Sequence, residues 1–223
     1  MSSGIDHKKG NELLAKIALF LLIFAVGAFA LKVIVEPERL VRYTPLVILH
    51  GATMVAWMLL FASQARLAAA GKLPTHRTFG RWSPILVLAM VVSGMTVSWN
   101  LVREFGAYQV FIANIGNFAT FVPLYIAAIF FARRHEQAEH RQAMLIGTLA
   151  LMGPAYGRVF DALDLPEFGA ITFVIGFTLG LPIWLDRASR GSVSKSTWAM
   201  IGFYFAVLAA TVAGFAMVAP PPQ

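Results

Sequence analysis

The stretch IALFLLIFAVGAFALKVIV, residues 17–35, decides the fold class. It is apolar throughout except for Lys32, and about 20 such residues are what a helix needs to cross the hydrocarbon core of a bilayer. A backbone in that solvent has to satisfy its own hydrogen bonds, which leaves helices and closed barrels as spanning structures. A secretory leader is the competing reading, because Lys8 and Lys9 precede the run and Ala28-Phe29-Ala30 has the small-residue spacing of a cleavage site. The run continues past that site, which favours a retained first span over about 13–35.

Six further apolar segments follow, giving spans over about 44–66, 82–100, 109–132, 141–160, 169–185 and 197–218. Their continuous apolar character is not that of short alternating barrel strands. The expectation is an all-α integral membrane protein, residues 1–223 forming one transmembrane domain of about seven helices. Composition agrees: 58% of the 223 residues are hydrophobic and 13% charged, against roughly 45–50% and 25% in soluble domains. The mean hydropathy is +0.71.

The net charge of +7 raises nucleic-acid binding, but an excess of Lys and Arg in cytoplasmic loops is the ordinary cause in a membrane protein. The basic residues follow that rule. Lys8, Lys9, Lys16, Arg66, Lys72, Arg77 and Arg81 gather on one side. Arg133, Arg134, Arg141, Arg187, Arg190 and Lys195 join them, leaving Lys32, Arg39, Arg42, Arg103 and Arg158 on the other. This predicts a cytoplasmic N-terminus, an outside C-terminus and a multi-pass protein, with the lipid bilayer and no nucleic acid as partner.

The chain has no cysteine, which excludes thiolate nucleophiles, iron–sulfur clusters and thiolate zinc sites. No serine nucleophile elbow, His-Glu-x-x-His pair or phosphate loop is present either. The second span runs into Gln64-Ala65-Arg66, a polar link and Thr75-His76-Arg77; the fourth runs into Ala132-Arg133-Arg134, a polar link and Glu139-His140-Arg141. Two such units would be parallel repeats about an axis normal to the membrane.

His76 and His140 thus both open helices at the basic end. A solvated cap or headgroup contact is the ordinary reading of such residues. The chemical reading is that they converge and hold an iron, with Arg77 and Arg141 at haem propionates, since the arginine fork bonds two oxygens. His50 lies about 24 Å along the second helix from Arg66 and cannot join them. It defines a second candidate, a ligand pocket at the opposite end with Trp57, Asn114, Asn117, Arg158 and Asp161. For that set the ordinary reading is interhelical hydrogen bonding, with Arg158 and Asp161 paired at a spacing of three. The Gly153-Pro154 pair predicts a kink in the fifth span. His135 sits in a charged run and is expected to face water.

The pieces His50, His76-Arg77-Thr78-Phe79-Gly80-Arg81 and His140-Arg141 resemble a pattern in a group of bacterial membrane proteins of unknown function. That resemblance covers roughly residues 45–160 and implies a fold without an activity. A fainter similarity is to membrane b-type cytochromes of the cytochrome b561 kind, which place haem-ligating histidines near helix ends; His50 has no outer partner histidine, so this similarity implies one haem b at most. Three expectations stand together: a haem-binding or quinone-linked electron-transfer protein, a lipid or small-molecule binding or transport protein, and a noncatalytic accessory subunit of another membrane protein's complex.

Overall fold

In the computed structural model the chain is described over residues 6–38 and 43–218, with side chains omitted for 167–171. Arg39 and Arg42 lie outside the described residues. Those residues form α1 (His7–Val35), α2 (Pro45–Ala69), α3 (Leu73–Gly80), α4 (Ser83–Phe105) and α5 (Tyr108–Arg133). Next come α6 (Gln137–Ala150), α7 (Gly153–Ala162), α8 (Glu167–Arg190) and α9 (Lys195–Val218). Among the described residues five stretches are long and apolar enough to cross a membrane: α1, α2, α3 with α4, α5 and α9. The pair α6 and α7 makes a sixth, bent by 43°.

The bend has a local cause. Pro154 is in the first turn of α7 and has no N–H to give to the carbonyl four residues back. The chain turns at Leu151 and Met152 and restarts, so the expected span over 141–160 is two helices. The basic link after the second span is also more ordered than a loop: Pro74 opens α3, where a missing N–H costs nothing.

The helices α1, α2, α4, α5 and the α6–α7 pair close into a ring, each packed on the next and α1 completing the circuit. Trp57, Phe121, Tyr125, Leu145, Leu149, Tyr156 and Leu21 fill its centre. Helix α9 lies against α5 and α6; α8 lies against α1, α6, α7 and α9. Outward-facing Leu19, Ile48, Leu88, Ile126 and Val212 stay exposed, as a lipid-facing surface requires. The molecule is a multi-pass α-helical membrane protein.

Small residues set the closest approaches. A Cβ at Gly94 would meet His50 Cε1 at 2.8 Å and Phe118 at 2.9 Å, and one at Gly116 would run into Thr211 Oγ1 of α9.

Two buried ionic groups hold the periphery. Lys32 of α1 contacts both Glu36 and Asp161. Near the other end of the bundle, Asp186 of α8 is buried and accepts from Gln142 Nε2 at 2.8 Å, Thr197 Oγ1 at 2.6 Å and the Ser194 N–H at 3.0 Å. Arg190 pairs with Asp186 at 3.1 Å and with Glu139 at 2.8 Å. This knot joins α6, α8 and the start of α9.

Candidate functional site

Helix α2 ends on Gly71, whose φ of +71° is left-handed. The Gly71 N–H bonds the Ala68 carbonyl at 3.2 Å and the Lys72 N–H the Leu67 carbonyl at 2.9 Å, a Schellman ending. Helix α5 ends in the same way on His135, φ +62°: the His135 N–H bonds the Ala132 carbonyl at 3.2 Å and the Glu136 N–H the Phe131 carbonyl at 2.9 Å. The chain then reverses into α3 and α6, which carry His76 and His140.

Each imidazole is tied back to its own unit. His76 Nδ1 donates to the Gln64 carbonyl at 3.1 Å and His140 Nδ1 to the Ala128 carbonyl at 2.8 Å, both across an interval of 12 residues. The two rings face each other with centroids 6.3 Å apart and planes at 81°. Gly71 and His135, Gln64 and Ala128, and His76 and His140 all share one offset of 64 residues (140 − 76). Trp57 and Phe121 share it too, and their rings meet edge to face at 4.8 Å. The two His-Arg units thus share a constant register of 64 residues, and two of the corresponding pairs, His76 with His140 and Trp57 with Phe121, are in ring contact.

Around the histidines lies a cavity of about 660 Å³, within the range of small-molecule sites. Leu14, Leu60, Phe61, Ile129 and Met144 give it apolar walls, while Arg77, Arg81, Arg133 and Arg141 stand on its lining. Trp57 Nε1 and both polar atoms of the Gln64 amide are buried here without a protein partner. With Nδ1 committed to a carbonyl, Nε2 of each histidine is left for a ligand, the arrangement by which proteins orient metal-binding imidazoles.

The two arginines of the pattern differ. Arg77 is exposed. Arg141 is buried under α1, donating to Asn11 Oδ1 at 3.0 Å and the His7 carbonyl at 3.5 Å. Gly10 makes room for it, since a Cβ there would lie 2.6 Å from Arg141 Nη2. Helix α1 thus helps to build the site.

The second candidate set is distributed. His50 Nδ1 lies 3.1 Å from Ser93 Oγ on α4. Asn114 donates to Ser98 Oγ at 3.1 Å. Asn117 lines a cavity of about 120 Å³ with Tyr204 and Thr211 of α9. Arg158 lies over the Phe29 ring at 4.0 Å and donates to the Pro154 carbonyl, and Asp161 meets Lys32. Trp57 belongs to the histidine cavity. It is seven residues beyond His50, or about 10 Å along the helix toward the basic end.

The missed residues are Gln64, whose amide looked like part of a polar link, and Asn11, whose role depends on α1 reaching Arg141. The fold and cavity define a class: a membrane helical bundle with a cavity lined by two histidines. No known protein family, curated protein or solved structure matches the chain.

Proposed function

We propose that the cavity binds one haem b between His76 and His140, and that the protein transfers electrons in a bacterial inner membrane. The convergence of two imidazoles on one apolar cavity carries this reading: each Nδ1 is committed to a carbonyl, so the Nε2 atoms of His76 and His140 would be the groups to hold the iron.

The donor set favours an iron porphyrin over a bare ion. Among the described residues no three His, Asp or Glu side chains group to hold a metal, whereas a porphyrin supplies four nitrogens and needs only axial ligands from the protein. The apolar walls suit a macrocycle.

Helix α8 has 24 residues and serves as the seventh span in this reading. The basic end, with Lys8, Lys72, Arg133 and Lys195, faces the cytoplasm, which puts the N-terminus inside and the C-terminus outside.

A reduced-minus-oxidised visible spectrum of the detergent-purified protein tests the haem. A b-type band that is lost or altered in His76→Ala and in His140→Ala supports the reading. A colourless, iron-free protein overturns it. In that event the unpartnered Trp57 Nε1 and Gln64 amide favour a second reading, a quinone or other carbonyl-bearing lipid in the same cavity, and co-purified ligand identified by mass spectrometry tests it.

A further inference from the structure

The charges on the cavity lining are unbalanced in a specific way. Among the described residues four arginines line it and no aspartate or glutamate does. Away from the cavity lining, Lys32 pairs with Glu36 and Asp161, Arg134 with Glu136, and Arg190 with Glu139 and Asp186. Among the described residues Arg77, Arg81 and Arg133 have no ion pair, and all three are exposed.

The internal repeat sharpens the contrast. Arg77 and Arg141 are counterparts in the two units, but α1 covers only one of them. Arg141 is buried and gives donors to Asn11 and the His7 carbonyl, whereas Arg77 is exposed. Orientation alone asks for basic residues in cytoplasmic loops; it does not ask for three of them on the lining of an apolar cavity. A guanidinium fork there matches a carboxylate or phosphate with two parallel hydrogen bonds.

We infer that the Arg77 edge of the cavity, with Arg81 and Arg133, is a binding site for the anionic edge of an amphiphile, a carboxylate or phosphate whose apolar body fills the cavity. This rests on the porphyrin reading for the body of the ligand but not on iron. Propionates of a porphyrin and the phosphate of an acidic lipid share the chemistry.

Metal-free protoporphyrin IX separates the edge from the histidines, because it has no iron for them to bind. The full chain in phosphatidylcholine nanodiscs is titrated with the free acid and with its dimethyl ester, followed by porphyrin fluorescence. The free acid is expected to bind at least tenfold more tightly than the ester. Arg77→Gln and Arg81→Gln should each weaken the free acid several-fold and leave the ester unchanged, while Arg66→Gln, on α2 but off the cavity lining, changes neither. Equal binding of acid and ester, or an Arg66→Gln loss as large as that of Arg77→Gln, overturns the proposal; so does failure of both porphyrins to bind.

Repeating the titration with phosphatidylglycerol in the discs identifies the source. A fall in free-acid affinity assigns the edge to a competing headgroup phosphate, and unchanged affinity assigns it to the carboxylates of the ligand. A protein that prefers the free acid but shows no His76-dependent band with haemin keeps the anionic edge and loses the haem.

Discussion

His76 and His140 stand 64 residues apart in the chain (140 − 76) and 6.3 Å apart between ring centroids, each held by a carbonyl of its own unit. Because the two anchors are independent, losing one ring leaves the other in place. If the cavity holds haem as proposed, His76→Ala and His140→Ala would each retain some of it on the remaining imidazole, with a shift of the spectrum from low-spin to high-spin. The double variant is expected to retain none. Electron paramagnetic resonance of the purified variants checks this, and an unchanged low-spin signal in both single variants would sink the axial assignment.

His135 fills the left-handed position where the other unit has Gly71. A side chain with a Cβ costs roughly 1–2 kcal/mol in that conformation relative to glycine. His135→Gly should therefore raise stability by about 1 kcal/mol, seen as a higher thermal midpoint with haem content unchanged. A fall in the midpoint would show that the imidazole has contacts outweighing its backbone strain.

Asp186 is the acceptor on which Gln142, Thr197, Ser194 and Arg190 converge. Removing one member of a buried charged network leaves the others without partners, at about 3 kcal/mol or more. Asp186→Ala should destabilise the bundle by that order, and Asp186→Asn by less, since an amide oxygen still accepts a bond. Thermal unfolding in detergent of both variants orders the two costs; equal midpoints would remove the charge from the argument.

How much of this was legible depended on periodicity. Hydropathy alone marks α1, α2, α4, α5 and α9, and Gly153-Pro154 marks the break between α6 and α7. The two His-Arg pairs point to the site because both open helices on the basic side. Asp186 and Gln142 gave no such signal: each is a single polar residue in an apolar helix, and only the packing of α6 on α8 makes them partners. Trp57 was grouped with His50 by proximity along one helix, although two turns are enough to put it in the other cavity. The commitment of Arg141 is a contact between residues 130 positions apart, which no local pattern encodes.

Gly116 lets α9 approach α5, and Thr211 occupies the space a Cβ would need. Gly116→Ala should force the two helices apart and lower the thermal midpoint. Combining it with Thr211→Ala removes the clashing hydroxyl and leaves the Thr211 Cβ at 3.1 Å from the new methyl, a gap the helices can accommodate by a small shift. The double variant is expected to recover most of the loss, as close small-residue packing in membranes implies; no recovery would place the cost elsewhere.

The cysteine-free chain allows the orientation to be read directly. Lys72 lies at the basic end between α2 and α3, and Glu104 at the far end of α4; both are exposed. If Lys and Arg set the topology, Glu104→Cys in intact cells should react with a membrane-impermeant maleimide, and Lys72→Cys should react only after the cells are opened. The reverse pattern would place His76, His140 and the open arginine edge outside the cytoplasm, and the haem, if bound, would then exchange electrons with partners on that side.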